Sequence, residues 1–136
     1  MSANYPEHMV APMRDELTQA GFQHLMTPDE VDAALKRPGT TLLMVNSVCG
    51  CAAAAARPGV VLALQEGLQV DHRVTVFAGM EIEATRRARD YFEGAAPSSP
   101  QAAILRDGQL VQLLGRPSFL DRTPEDIAEE LCASVR

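Results

Sequence analysis

The segment Thr41-Leu42-Leu43-Met44-Val45 runs without a charged break into Asn46-Ser47-Val48-Cys49-Gly50-Cys51, and the small-residue run Ala52 to Ala56 follows. A nearly continuous apolar run with β-branched residues at its edges suits a central strand covered on both faces. Thr41 to Asn46 is read as such a strand, and the alanines as part of a helix that leaves it. Cys49 and Cys51 then stand where a buried strand ends and a helix begins. The first amides of a helix have no intrahelical acceptor, and the helix dipole is positive there. A thiolate at that point is stabilised, so its pKa falls and more of it is ionised near neutrality. The pair therefore points to a redox centre. Half of a metal site is the other use of two close thiolates. Structural zinc takes four ligands, and His24 and His72 lie far off in sequence. A soft-metal site for copper(I) or zinc stays as the alternative, as does a non-catalytic redox sensor.

Charge narrows the function classes. With a net charge of −6 and a pI near 5.0, the chain carries no electrostatic footprint for nucleic acid. An acidic surface is also repelled by anionic membranes, and no apolar run reaches spanning length. Pro6, Glu7, Arg14, Asp15 and Glu16 near the start do not make the basic-then-apolar pattern of a secretory leader. A cytoplasmic location is the expectation. There a close cysteine pair is more often catalytic, redox-sensing or metal-binding than a structural staple.

At 136 residues, one domain spanning residues 1 to 136 is expected, with residues 1 to 9 as an N-terminal arm. Residues 12 to 20 read as a helix that Pro12 opens and Gly21 closes. Phe22 to Met26 is a short strand or ordered loop. Thr27-Pro28-Asp29-Glu30 caps a helix that Arg37-Pro38-Gly39 stops. The helix after Cys51 extends to about Gly67, with a kink expected at Pro58-Gly59. Val70 to Phe77 is a strand, and residues 81 to 93 form an amphipathic helix closed by Gly94. Gln101 to Leu105 and Leu110 to Leu114 are strands of a hairpin turned at Asp107-Gly108. Gly115 to Leu120 is a connector. Thr123-Pro124-Glu125-Asp126 caps a last helix with Ile127, Leu131 and Val135 on one face. Cys132, beside Leu131, reads as a small core-facing or half-buried thiol.

From Thr41 the order is strand, helix, strand, helix, hairpin, helix. A right-handed crossover with parallel strands, extended by an antiparallel hairpin, makes a small mixed β-sheet flanked by helices on both faces. This α/β arrangement is similar to the thioredoxin-like fold, in which redox cysteines occupy the first strand-to-helix junction. Asn46-Ser47-Val48-Cys49-Gly50-Cys51-Ala52-Ala53 with Ala56-Arg57-Pro58 resembles the signature of the bacilliredoxins. Val74 to Gly79, Glu83-Ala84-Thr85, Tyr91-Phe92 and Gly94 to Pro100 match in order, as do Pro12-Met13-Arg14, Glu16-Leu17-Thr18 and Gly21-Phe22. The resemblance covers roughly residues 10 to 110 and departs over Gly115 to Asp121.

The resemblance implies a thiol–disulfide oxidoreductase with a Cys-Gly-Cys site. Its co-substrate would be bacillithiol, a low-molecular-weight thiol, with no cofactor bound. Its partners would be bacillithiolated client proteins, from which it removes the small thiol, with weak disulfide isomerase activity besides. In this scheme Cys49 is the nucleophile and Cys51 resolves. The short Cys-Gly-Cys ring is expected to be strained and easily reduced, with Gly50 supplying backbone flexibility. Asn46, Ser47, Ser99 and Pro100 are the candidate substrate-binding residues. Pro100 stands where such folds place a cis-proline facing the cysteines, with backbone beside it free to pair with substrate. Arg57 and Arg73 are candidates for attracting the malate carboxylates of bacillithiol.

Overall fold

The computed structural model describes residues 4–135. Its centre is a 5-stranded mixed sheet in the order β1-β3-β2-β4-β5. The strands are β1 (Gln23–His24), β2 (Thr40–Asn46), β3 (His72–Phe77), β4 (Gln101–Arg106) and β5 (Gln109–Leu114). Parallel pairing joins β2 to β3 and β1 to β3, and antiparallel pairing joins β2 to β4 and β4 to β5. The helices are α1 (Glu7–Thr18), α2 (Pro28–Leu35), α3 (Arg57–Gln65), α4 (Ile82–Arg89) and α5 (Pro124–Ala133).

Side-chain alternation along β2 explains its unbroken apolar sequence. Leu42 and Met44 face a core shared with Leu17 of α1, Val60 of α3, and Ile127 and Leu131 of α5. Leu43 and Val45 face the opposite core, made with Val31 and Leu35 of α2 and Ala84 and Ala88 of α4. Successive side chains on a strand point to opposite faces, so a strand buried on both sides needs apolar residues throughout. The expected mixed sheet with helices on both faces is the architecture found.

Local signals account for the rest. Asp107 and Gly108 have φ of 52° and 82°, the paired positive values that a tight hairpin of the correct twist requires. Thr123 and Asp126 exchange hydrogen bonds in a capping box that opens α5. Thr27 accepts from the Glu30 amide and opens α2. Tyr91, just past α4, donates to Asp32 of α2 at 2.7 Å, and Arg87 donates to the same oxygen.

Two expectations need correction. Of the arm expected over residues 1 to 9, residues 1 to 3 lie outside the described residues. Residues 4 to 9 are built into the fold: the Asn4 amide donates to the Gly79 carbonyl at 2.7 Å, and α1 begins at Glu7, not Pro12. Val10 is fully buried with Leu17, 7 residues later on the same helix face, and this packing carries the helix through Pro12. The helix after Cys51 also breaks elsewhere than at Pro58-Gly59. Ala52–Ala56 form a π-helical segment, and regular α-helix resumes at Arg57 with Pro58 in its first turn. A proline has no N–H to give to the carbonyl 4 residues earlier, and its ring crowds that carbonyl; widening the preceding turn accommodates both.

Gly59 sits where α3 meets α5. A Cβ built there would lie 2.7 Å from Ile127 Cβ, too close for an atom fixed near the backbone to yield. Gly59→Ala is expected to lower stability by about 1–3 kcal/mol through overpacking, measured as a reduced midpoint in urea unfolding with an unchanged slope.

Candidate functional site

At the end of β2 the chain must leave the sheet and begin a helix while keeping its polar groups paired. Asn46 is buried, and its Oδ1 accepts the Ser47 amide at 2.8 Å and Arg57 Nη1 at 2.9 Å. Its Nδ2 donates to the Met13 carbonyl of α1 at 3.0 Å. Ser47 is also buried, and its Oγ accepts the Cys49 amide at 3.1 Å. Arg57 Nη1 donates to the Ser47 carbonyl at 2.8 Å, and Nε pairs with Glu16 at 2.8 Å. These contacts hold the loop from Asn46 to Cys49 by both its backbone and its side chains.

Helical structure starts at Gly50, so Cys49 immediately precedes the helix and Cys51 lies in its first turn. The two sulfurs are 2.8 Å apart and unbonded, and both residues are partly exposed. A hydrogen bond from the Cys51 thiol lowers the Cys49 pKa, outweighing the desolvation that opposes it. The amides of Cys51 and Ala52 and the positive charge of Arg116 add to the effect. Cys51 is raised, first by desolvation and then by its bond and charge interaction with Cys49. A proton shared between the sulfurs is thus biased toward Cys51, and Cys49 is the more acidic of the two. Gly50 is exposed, has no positive φ, and would meet nothing within 4 Å if it carried a Cβ. The reduced site therefore makes no demand for glycine at that position.

Sheet register brings the second wall of the site to the cysteines. Gln101 lies opposite Val45, which sets Pro100 at the level of Asn46. The Ser99–Pro100 peptide bond is cis. Arg89 holds this loop from behind, donating to the Ser98 carbonyl at 2.6 Å and to Gln101 Oε1 at 3.1 Å. Ser99 is partly exposed and Pro100 is buried.

Four of the expected substrate contacts have a different place. Asn46, Ser47 and Arg57 are buried, 1%, 5% and 3% exposed, with their polar groups turned inward. They position the redox loop, and Arg57 has no guanidinium face open to a carboxylate. Arg73 lies opposite Leu42, near the other end of the sheet, and donates to the Ala20 carbonyl at 2.7 Å. A positive charge that lowers the pKa of both cysteines comes from Arg116, in the short 3-10 turn Arg116–Ser118 after β5. Only the hairpin register puts it there, and its sequence neighbourhood gives no sign of it. Cys132 is buried and directs its thiol toward the Ala63 carbonyl at 3.7 Å, apart from the pair. Among the described residues, no group of three or more His, Cys, Asp or Glu side chains is arranged to hold a metal ion. None of the described helices is long and apolar enough to cross a membrane.

A second polar cluster braces the same end of the sheet. Glu81 accepts His24 Nε2 at 2.5 Å, Arg14 at 3.0 and 2.5 Å, and the Phe77 amide at 3.1 Å. Arg14 and His24 also touch each other, and Arg14 lies over the Phe77 ring, 5.2 Å from its centroid. Burial alone would push the Glu81 carboxyl up, but His24 and Arg14 hold it at about 2 against an ordinary 4.5.

Two measurements follow from these charges. Because folding depresses the Glu81 pKa, its stabilising effect is complete above about pH 4.5 and is lost as the pH falls toward 2. Wild type is expected to lose about 3 kcal/mol more than Glu81→Gln across that window, read from urea unfolding at each pH. For the cysteines, the pH midpoint of Cys49 alkylation by iodoacetamide should lie below the ordinary 9.0 and rise in Cys51→Ala. Peptide mapping by mass spectrometry would detect both; an unmoved midpoint would remove Cys51 as the source of the shift.

Comparison with known proteins accords with this geometry. A family model described as "Disulphide isomerase" matches residues 5–136. A bacilliredoxin of Geobacillus kaustophilus is 49% identical over 125 residues, covering 92% of this chain and 86% of its own. One of Cytophaga hutchinsonii is 47% identical over 127 residues, covering 93% and 94%. Among solved structures, a mutant thioredoxin of Entamoeba histolytica matches with a TM-score of 0.54 at 14% identity, covering 85% of this chain and 99% of its own. A mitochondrial thioredoxin of Saccharomyces cerevisiae, in oxidised form, matches with a TM-score of 0.53 at 16% identity, covering 81% and 91%. The structural matches establish a thioredoxin-like fold, and the sequence matches establish that this chain belongs to the bacilliredoxin family of thiol redox proteins.

Proposed function

We propose that this protein is a thiol–disulfide oxidoreductase that removes bacillithiol from mixed disulfides on oxidised cytoplasmic proteins, with weak disulfide isomerase activity besides. The observation that carries the reading is the unbonded Cys49–Cys51 pair, with sulfurs 2.8 Å apart and the proton biased toward Cys51. The family relationship supports it.

The two exchange steps need only the cysteine pair and the mixed disulfide, and external thiols then restore the site. The Cys49 thiolate attacks the bacillithiol sulfur of the mixed disulfide. A bond forms between Cys49 and bacillithiol, the client sulfur leaves as a thiolate, and the Cys51 proton neutralises it. Cys51, now a thiolate, attacks Cys49 Sγ, closes the Cys49–Cys51 disulfide and releases bacillithiol as a thiolate. Two further thiols, oxidised together to their own disulfide, return the site to the dithiol. Each step conserves electrons because one disulfide is exchanged for another. A second bacillithiol attacking the adduct on Cys49 is the shorter route, and it leaves Cys51 as the positioning thiol.

Single-turnover exchange with a bacillithiolated model protein, read by mass spectrometry, tests this. Cys51→Ala should accumulate a bacillithiol adduct on Cys49, and Cys49→Ala should release no client. Equal inertness of wild type and both variants, with stoichiometric copper(I) or zinc on the purified protein, would replace the catalytic reading with a metal-binding one.

A further inference from the structure

A mixed disulfide has two sulfurs, and only attack on the small thiol's sulfur frees the client. Attack on the other sulfur ties the client to Cys49 instead. The sulfur pair has no means of telling them apart, so discrimination must come from something beside it.

Arg116 is placed to do this. Strand β5 ends at Leu114 opposite Ala102, so Arg116 emerges at the level of Pro100 and at the cysteine end of the sheet. Its amide donates to Ser98 Oγ at 3.2 Å, and Ser98 is in turn held by Arg89. A Cβ at Gly115 would come within 3.0 Å of that same Ser98 oxygen, so the absence of a side chain there lets the two loops close up. The Arg116 side chain is exposed, and among the described residues no carboxylate lies within ion-pairing distance of it. Other guanidiniums at this end are spent internally, Arg14 on Glu7 and Glu81, Arg57 on Glu16, Asn46 and Ser47, and Arg89 on Ser98 and Gln101. Gly50, Ala53 and Ala54, exposed beside the pair, bring no charge. On a chain of net charge −6, Arg116 is a local reversal of sign at the cysteine end of the sheet, and its positive charge acts on both Cys49 and Cys51.

We infer that Arg116 is a specificity-determining residue that binds a carboxylate carried by the small-thiol half of the mixed disulfide, and so sets that half's sulfur on Cys49. A guanidinium and a carboxylate pair through two parallel hydrogen bonds, which orients the ligand as well as attracting it. The client thiol is then the leaving group. The inference deepens the function proposed above and rests on it only for the identity of the small thiol.

The test uses a neutral peptide with one cysteine, disulfide-linked either to mercaptoacetate or to mercaptoacetamide. The full-length Cys51→Ala protein arrests the reaction at the first adduct, and mass spectrometry reads whether Cys49 carries the small thiol or the peptide. With the mercaptoacetate probe, adding Arg116→Gln should shift the adduct ratio toward the peptide by about tenfold at low salt, while Arg116→Lys retains part of the preference. With the amide probe, Arg116→Gln should leave the ratio unchanged. An unmoved ratio with mercaptoacetate, or an equal shift with both probes, overturns the assignment. If the ratio responds as expected but a bacillithiolated client gives no adduct, Arg116 keeps its role and bacillithiol is not the thiol.

Discussion

The guanidinium of Arg57 is the fixed point on which the redox loop rests. Burying an arginine exacts a large desolvation penalty, which is repaid only when its donors find well-placed acceptors. Here the acceptors are a carboxylate from α1, the Asn46 side chain at the end of β2, and the Ser47 carbonyl that begins the loop. The same residue opens α3, directly after the π-helical alanines. Four parts of the molecule, α1, the end of β2, the redox loop and α3, are therefore referred to one planar group. Since a guanidinium presents its N–H bonds in a rigid fork, the loop's direction on leaving the sheet is fixed with it. The orientation of Cys49 is inherited from that direction.

How much of this was legible without coordinates varied with how local the signal is. The unbroken apolar run of β2, the Asp107-Gly108 turn and the Thr123 cap are each written within a few neighbouring residues, and each appears where expected. The start of α1 was not legible, because what extends it past Pro12 is the burial of Val10, a property of the assembled core. The π-helical widening has no local signal of its own either. Proline advertises a disturbance, but the alanines before it decide how the backbone absorbs it. At the site, the cysteine pair was plain from its motif. Asn46, Ser47 and Arg57 read from the sequence as substrate contacts, because a sequence does not say which way a polar side chain faces. Arg116 lies within what the sequence reads as a connector, since only strand register relates it to the cysteine end of the sheet.

The charge distribution follows one theme at two depths. At the surface, one proton between two sulfurs makes one more acidic and the other less so, giving a nucleophile and a reserve acid from identical side chains. Below, Glu81 is held ionised by Arg14 and His24 and takes the Phe77 amide at the end of β3. Both clusters lie at the carboxyl ends of the parallel strands, where the backbone leaves the sheet and its polar groups need new partners. Charge that would be a liability within the sheet is put to use at its rim.

The hydrogen bond from Asn46 to Met13 spans 33 residues of sequence, and the pairing of Arg57 with Glu16 spans 41. The loop geometry that activates Cys49 is thus a long-range property of the chain. When the helices separate from the sheet, Asn46 and Arg57 lose the Met13 and Glu16 partners that hold the loop. The placement of Cys49 is therefore set by the packing of the helices as a whole and is lost when they separate.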